Sequence, residues 1–219
     1  MTPANHQLEW KEVVIADSIL QLIARLSTKV FLGDEMCRNE AWLKTSKAYT
    51  IAAFRMAFQI TAIPSILKPL VPWLSKDAKA VAQHLRDGRA ILSPMLDERK
   101  KIKAEARKKG EPVPEYNDMF EWFENESQGA AYDPATYQML LSFAAIHTTS
   151  DLLSQTMMRL ANEPQSIAAI REEIIQVLST DGLTKAALAN LKLMDSALKE
   201  AQRVSPGSFR KFALSAKNR

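Results

Sequence analysis

Apolar and polar residues alternate with helical period along most of the chain. The clearest example lies between residues 10 and 33, where the apolar positions form an i, i+4, i+7, i+8 stripe. The members of this stripe are Val14, Ile15, Ile19, Leu22, Ile23 and Leu26. No segment shows the period-two alternation that is typical of a half-buried strand. The pattern therefore predicts a mainly α protein.

Caps and prolines divide the first half of this pattern into helices. Gly33 is a plausible end for the first helix, and Asn39 is a plausible N-cap for the second. Three prolines within residues 63–75 argue against a regular helix and predict an apolar loop. A long helix is expected over residues 76–109, with a kink at Pro94.

The second half begins with a linker over residues 110–133 that carries a short helix. Asp133 followed by Pro134 has the form of an N-cap and a first helical residue, and predicts a helix over residues 134–162. Thr184 is a candidate cap, and the last helix is expected over residues 191–204. The whole chain, residues 1–219, is taken as a single helical region.

Composition and charge narrow the class of protein. The chain has 219 residues, 47% hydrophobic and 25% charged, with a formal net charge of +4. The basic block at residues 99–110 precedes the acidic block at residues 111–126, which suggests a solvated helix end beside an acidic loop. A nucleic-acid-binding surface would be a more continuous basic stripe, so no nucleic-acid partner is expected.

The rare residue types exclude several chemistries. One cysteine, Cys37, excludes an internal disulfide and a cysteine metal cluster, and fits a reducing compartment. No metal-ligand motif such as HExxH and no phosphate-binding glycine loop is present. No run of eighteen apolar residues occurs, so no transmembrane segment is predicted. The chain as given is therefore expected to be soluble and intracellular.

Polar residues stand at the centre of one apolar helix, in the stretch SFAAIHTTSDLL. Ala144 and Ala145 leave room near the backbone, and the Thr148 hydroxyl can bond to the Ala144 carbonyl one turn earlier. His147 adds a titratable group. Such a notch suits a small polar ligand, but an ordinary helix contact with satisfied His and Thr side chains explains the same residues.

A second candidate feature is the pair Glu200 and Arg203, which share one helix face at i, i+3 spacing. At the surface such a pair contributes little to stability. In a buried position the same pair would form a fixed fork able to hold a third partner.

Together these motifs resemble the cytochrome P-450 haem-thiolate monooxygenases. AAIHTT, Ala144 to Thr149, is similar to the family's distal I-helix motif, and Glu200 to Arg203 is similar to its ExxR motif. The segment FLGDEMCRNEAWLKTSKAYT is similar to fungal cytochromes P-450 of secondary metabolism, the kind that oxidise terpenoid skeletons. The resemblance covers about Leu8 to Leu214, and it implies haem, a hydrophobic substrate and a reductase partner.

The resemblance also assigns roles to site residues. Thr148 would sit over the haem and support oxygen activation and proton delivery, and Ala144 and Ala145 would line the distal haem face. His147 stands where the family usually has Asp or Glu, which puts the usual acid–alcohol relay in doubt. Glu200 and Arg203 would be structural.

The elements map onto the family in the same way. Residues 134–162 would be the counterpart of the I helix, residues 191–204 of the K helix, and residues 63–75 of the loop between the F and G helices. The resemblance implies an endoplasmic-reticulum membrane anchor in full-length relatives, and we expect the chain as given to be without one.

The family's haem iron is held by a Cys thiolate in a later loop, and Cys37 lacks that loop's context. The resemblance therefore implies the helical middle of the family fold, without its β-domain and its haem-ligand loop. We expect a truncated member that does not bind haem stably or perform monooxygenation alone, and that exposes Phe143 and Ile146. A non-catalytic helical protein binding a hydrophobic ligand or partner, and an unrelated helical domain, are the alternatives.

Overall fold

The chain folds into a bundle of helices in a computed structural model that describes residues 12–206. Within these residues there are nine α-helices, one 3-10 helix at Ser65–Leu70 and no strand, so the mainly α prediction is confirmed. Leu8 and Leu214, which bound the resemblance, lie outside the described residues. The α-helices are α1 Ile15–Met36, α2 Glu40–Ala62, α3 Val71–Leu74, α4 Lys76–Lys109, α5 Met119–Ser127, α6 Pro134–Leu160, α7 Pro164–Asp181, α8 Lys185–Asn190 and α9 Lys192–Val204.

Two predicted caps begin their helices. The Asn39 Oδ1 atom accepts a hydrogen bond from the Trp42 backbone N–H at 3.0 Å. The Thr184 hydroxyl accepts one from the Ala187 N–H at 3.1 Å. Each side chain satisfies one of the backbone donors that have no partner inside a helix start. Both cap predictions are therefore confirmed.

Two interruptions of the helices were predicted, at Gly33 and at Pro94. Gly33 breaks the regular helix of α1, as predicted, because its φ of 85° and ψ of −172° are non-helical; one further turn follows and ends at Met36. The Cys37 N–H closes that turn on the Gly33 carbonyl at 3.3 Å. Pro94 removes one backbone donor from α4; α4 continues through it, and the neighbouring side chain of Leu92 is fully buried. The kink at Pro94 stays a prediction.

The proline-rich segment at residues 63–75 is helical, which corrects the loop prediction. Pro69 lies inside the 3-10 helix, and Pro72 lies in the first turn of α3, where a helix needs no backbone N–H. Ile66 and Trp73 are 85% and 77% exposed. The segment therefore displays apolar side chains at the surface and contributes few of them to the core.

The core lies between α1, α2, α4 and α6, which make most of the interhelical contacts. Trp42, Leu92 and Met139 are completely buried there. Gly88 of α4 allows a close approach to α6, since a Cβ atom at this position would lie 2.3 Å from the Met139 Cε atom. This core holds the middle of α6 in a fixed position.

The basic block after α4's midpoint is not simply solvated, which corrects the sequence interpretation. The Lys103 Nζ atom lies 2.8 Å from both Glu121 carboxylate oxygens and 2.7 Å from Glu124 Oε2. Arg99 pairs with Asp118 and stacks over the Tyr116 ring, 4.1 Å from its centroid. The acidic block therefore folds back onto the basic one and neutralises the buried Lys103 and the partly buried Arg99.

Helices α7, α8 and α9 form a smaller layer on the last turns of α6. No residue of α7 is buried, and Ala201 is the one buried residue within α9. Apolar burial in this layer is therefore thin compared with the main core.

Candidate functional site

The centre of α6 carries an exposed strip of small and apolar residues. Leu140, Ala144 and Thr148 follow one another at i, i+4 spacing, and all three are exposed. The Thr148 hydroxyl donates to the Ala144 carbonyl oxygen at 2.6 Å, as the sequence predicted. This bond leaves the lone pairs of the Thr148 oxygen available to accept a hydrogen bond at the surface of the strip.

His147 points to a neighbouring face of α6 and packs among aromatic rings. Its ring centroid lies 5.0 Å from that of Phe54 in α2 and 6.3 Å from that of Phe143. The Nε2 atom is buried and has no hydrogen-bond partner in the described residues. Burial lowers the pKa of His147, while a hydrogen bond with the Thr50 backbone acts in the opposite direction. The imidazole is therefore neutral at pH 7.

His147 and Thr148 both line one groove between α1, α2, α6 and α9 with a volume of about 400 Å³. The hydroxyl oxygen of Ser150, which also lines the groove, is buried and has no hydrogen-bond partner among residues 12–206. The remaining lining residues are Ala16, Leu20, Phe54, Asp151, Leu152, Ser154, Gln155, Gln202 and Ser205. The groove therefore joins an apolar wall to a polar one at the turn that the sequence singled out.

Glu200 and Arg203 form the predicted fork but do not line this groove. The Arg203 Nε and Nη2 atoms donate to the two Glu200 carboxylate oxygens at 2.7 Å each. Both side chains are exposed to solvent. The hydrogen bond from Arg203 is the main reason that the pKa of Glu200 is lowered, and the charge of Arg159 contributes further. Here the fork is a surface feature.

Cys37 lies away from the groove, at the end of α1. Its Sγ atom donates to the Asp34 carbonyl oxygen at 3.2 Å. Within residues 12–206 no cluster of three His, Cys, Asp or Glu side chains could hold a metal ion. Cys37 is therefore placed as a helix-end thiol.

The expectation that α6 exposes Phe143 and Ile146 is wrong for the second residue. Ile146 is completely buried and Phe143 is only partly exposed. Both belong to faces of α6 that pack on the core, whereas the exposed strip begins at Leu140. Helix α6 therefore exposes Leu140, Ala144 and Thr148 to solvent, and Ile146 faces the core.

Sequence reasoning missed part of the groove wall. Phe54 gave no signal, since its apolar neighbours in α2 have the same pattern, and its place beside His147 depends on how α2 crosses α6. Ser150 lies three residues after His147 and could have been found by its helical spacing. Gln202 lies between Glu200 and Arg203 but faces the groove instead of the fork.

Stability should depend on pH through His147. Because its pKa is lower folded than unfolded, the unfolded chain binds more protons between the folded value and about 6.5. Stability should therefore rise with pH across this window, by no more than about 1.4 kcal/mol per pH unit. Urea unfolding of His147→Phe from pH 5 to pH 8 should show a shallower rise than the unaltered chain. A slope in His147→Phe as steep as that of the unaltered chain would contradict the prediction.

Comparison with known protein families identifies the class of protein. A sequence profile described as Cytochrome P450 matches residues 4–211, and the chain belongs to this family. The family implies haem as cofactor and uses a reductase and hydrophobic substrates. Within the described residues, no helix combines the length and the apolar character needed to cross a bilayer.

Individual relatives share much of the sequence. The cytochrome P450 monooxygenase eqxH of Fusarium heterosporum is 46% identical over 209 residues, which are 94% of this chain and 40% of the relative. Cytochrome P450 monooxygenase 1 of Gibberella fujikuroi is 42% identical, over 93% of this chain and 47% of the relative. The monooxygenase hepE of Aspergillus oryzae is 40% identical, over 90% and 36%. The chain thus spans less than half the length of these relatives.

Proposed function

We propose that this chain supplies the distal helical wall of a haem-dependent monooxygenase that oxidises a hydrophobic, terpenoid-type secondary metabolite with electrons from a reductase. The observation that supports this most is the exposed strip of α6, where the Thr148 hydroxyl bonds back to the Ala144 carbonyl. The names of the relatives, all monooxygenases, point to the same reaction.

The strip fits one face of haem by size and polarity. Ala144 has a single methyl group and is exposed between Leu140 and Thr148, so a flat apolar ring can approach the helix backbone there. When bound, haem would supply the oxygen-activating redox chemistry. No thiol lies on the strip, because the single cysteine of the sequence, Cys37, lies at the end of α1. The strip therefore fits the distal face, and the proposal assigns no described residue to the iron.

Each residue of the wall has a distinct proposed role. Ala144 and Ala145 leave space beside the haem face. Thr148 accepts a hydrogen bond on the strip, and it can donate outward only after its hydroxyl turns away from the Ala144 carbonyl. The Nε2 atom of neutral His147 has no hydrogen-bond partner in the part of the chain that the structure describes, and can take up a proton from the groove. His147 and Thr148 would thus divide proton handling between two faces of one turn.

The same proposal relates the elements to the family. Residues 134–162, which contain α6 (Pro134–Leu160), would be the I helix. Residues 191–204, which contain α9 (Lys192–Val204), would be the K helix. Residues 63–75 would be the region between the F and G helices. Glu200 and Arg203 would act structurally within the complete enzyme.

A non-catalytic role in binding a hydrophobic ligand is the second candidate. It is favoured by a further apolar surface on α1, where Leu22, Leu26 and Val30 follow one another at i, i+4 spacing and are each at least half exposed. Contiguous exposed apolar patches on soluble proteins commonly mark binding surfaces.

Haemin titration of the purified chain tests the proposal. Because no described residue is assigned to the iron, we expect only weak haemin binding, seen as a change in the Soret band. Ala144→Phe should weaken this binding about tenfold, or ~1.4 kcal/mol, because the larger side chain blocks the strip. The control Ala186→Phe, at an exposed position of α8, should bind like the unaltered chain.

Two outcomes would change the interpretation. Equal haemin affinity for both variants, or none for the unaltered chain, would remove the strip as a haem face. Binding of an apolar fluorescent probe without haem would then favour the second candidate. Reduced spectra with carbon monoxide report the axial ligand, and a thiolate-type band that persists in Cys37→Ser would require a thiol from another molecule.

A further inference from the structure

Helix α9 receives its N-terminal cap from another helix. The two carboxylate oxygens of Glu173, in α7, accept hydrogen bonds from the backbone N–H groups of Leu193 at 2.7 Å and Met194 at 3.1 Å. These amides belong to the first turn, which has no acceptors of its own. The N-cap residue, Leu191, is apolar and makes no side-chain cap bond. Glu173 therefore acts as the N-cap of α9, a role that a Ser, Thr or Asp at the N-cap position of the same helix normally fills.

The other end of α9 is held by α6. The Arg159 Nη2 atom donates to the hydroxyl of Ser205, the C-cap residue of α9, at 2.7 Å. Arg159 is partly buried, and its positive charge also acts on Glu200 one turn away. One side chain thus contacts the end of α9 and influences its ion pair.

The signs of these two charges match the helix dipole. A carboxylate is favourable at the N-terminus of a helix, and a guanidinium is favourable at the C-terminus. Charge-assisted hydrogen bonds are also stronger than neutral ones. Since Ala201 is the one buried residue within α9, apolar packing fixes this helix weakly. Polar contacts at the two ends therefore carry much of its placement.

We propose that Glu173 and Arg159 are positioning residues that hold α9 at both ends and thereby fix where the Glu200–Arg203 fork is presented. The value of the fork to catalysis rests on the proposed function. The clamp itself is a property of the chain without haem, so the two can be tested separately.

Amide hydrogen exchange, followed by NMR, tests the N-terminal half of the clamp. In Glu173→Ala the amides of Leu193 and Met194 should exchange about tenfold faster, because they lose their acceptors. The amides around Trp42 in the main core should not change. Glu173→Gln keeps one acceptor oxygen and should recover part of the protection. The control Glu172→Ala alters the exposed neighbour on α7 and should leave exchange unchanged.

Titration of the Glu200 carboxyl, followed by NMR, tests positioning as distinct from simple stability. Glu173 bonds to the first turn of α9 and not to the turn that carries Glu200, yet Glu173→Ala should raise the Glu200 midpoint if α9 moves away from Arg159. Arg159→Met should raise it directly, and Arg171→Met, an exposed change on α7, should not. An unchanged midpoint in both Glu173→Ala and Arg159→Met would overturn the proposal. Faster exchange throughout the chain in Glu173→Ala would also overturn it, because the clamp is local.

Discussion

Replacing Trp42 with alanine is expected to lower the free energy of unfolding by about 3–5 kcal/mol. The indole is completely buried in the main core, and its Nε1 atom donates to the Thr28 hydroxyl at 3.2 Å. The variant loses that bond and leaves a cavity that the surrounding helices fill only in part. Urea unfolding followed by circular dichroism measures the change.

Trp73→Ala is the matched control for this prediction. Trp73 is 77% exposed on α3, so its removal should change stability by less than about 0.5 kcal/mol. Similar losses for the two tryptophans would show that Trp42 does not lie in the core described above.

Replacing Lys103 with methionine is expected to lower the free energy of unfolding by about 3 kcal/mol. The cation is 8% exposed between Glu121 and Glu124, and its removal leaves the buried Glu121 carboxylate without a counter-charge. Although burial lowers the pKa of Lys103, the hydrogen bonds and charges of the two carboxylates outweigh it and raise the pKa. The contribution should therefore be present at neutral pH and fade only as pH rises through that elevated value.

Two further variants separate the buried charge from other effects of the substitution. Lys101→Met changes an exposed lysine two residues away and should be nearly neutral. The double change Lys103→Met with Glu121→Leu removes both buried charges and should recover most of the lost stability. A double variant as unstable as Lys103→Met alone would show that the loss arises from packing.

Much of the helical layout was readable from the sequence because it depends on local chemistry. Asn39 and Thr184 satisfy backbone donors three residues later, and such bonds need no distant partner. The bond from Thr148 to Ala144 was predictable for the same reason, since both atoms belong to one turn of α6. The family motifs are short and local in the same way.

What the sequence did not reveal depends on contacts between elements. The basic end of α4 was expected to be solvated, but Lys103 pairs with Glu121, eighteen residues away, after the chain reverses into α5. The cap that Glu173 provides to α9 likewise joins residues twenty positions apart. The neutral state of His147 depends on the packing of Phe54, which spacing along α6 cannot show.

The absent side chain at Gly88 gives the core an adjustment point for the candidate site. Met139, which fills the space that a Cβ would take, lies on α6 five residues before Ala144. The thioether end of Met139 is flexible and can yield to one methyl group, whereas a branched side chain at position 88 would push α4 and α6 apart. The distance of the exposed strip from the core thus depends on the contact between Gly88 and Met139, on the side of α6 that packs against α4. Substitutions at position 88 could therefore move the strip, by evolution or by engineering, without changing the residues on its surface.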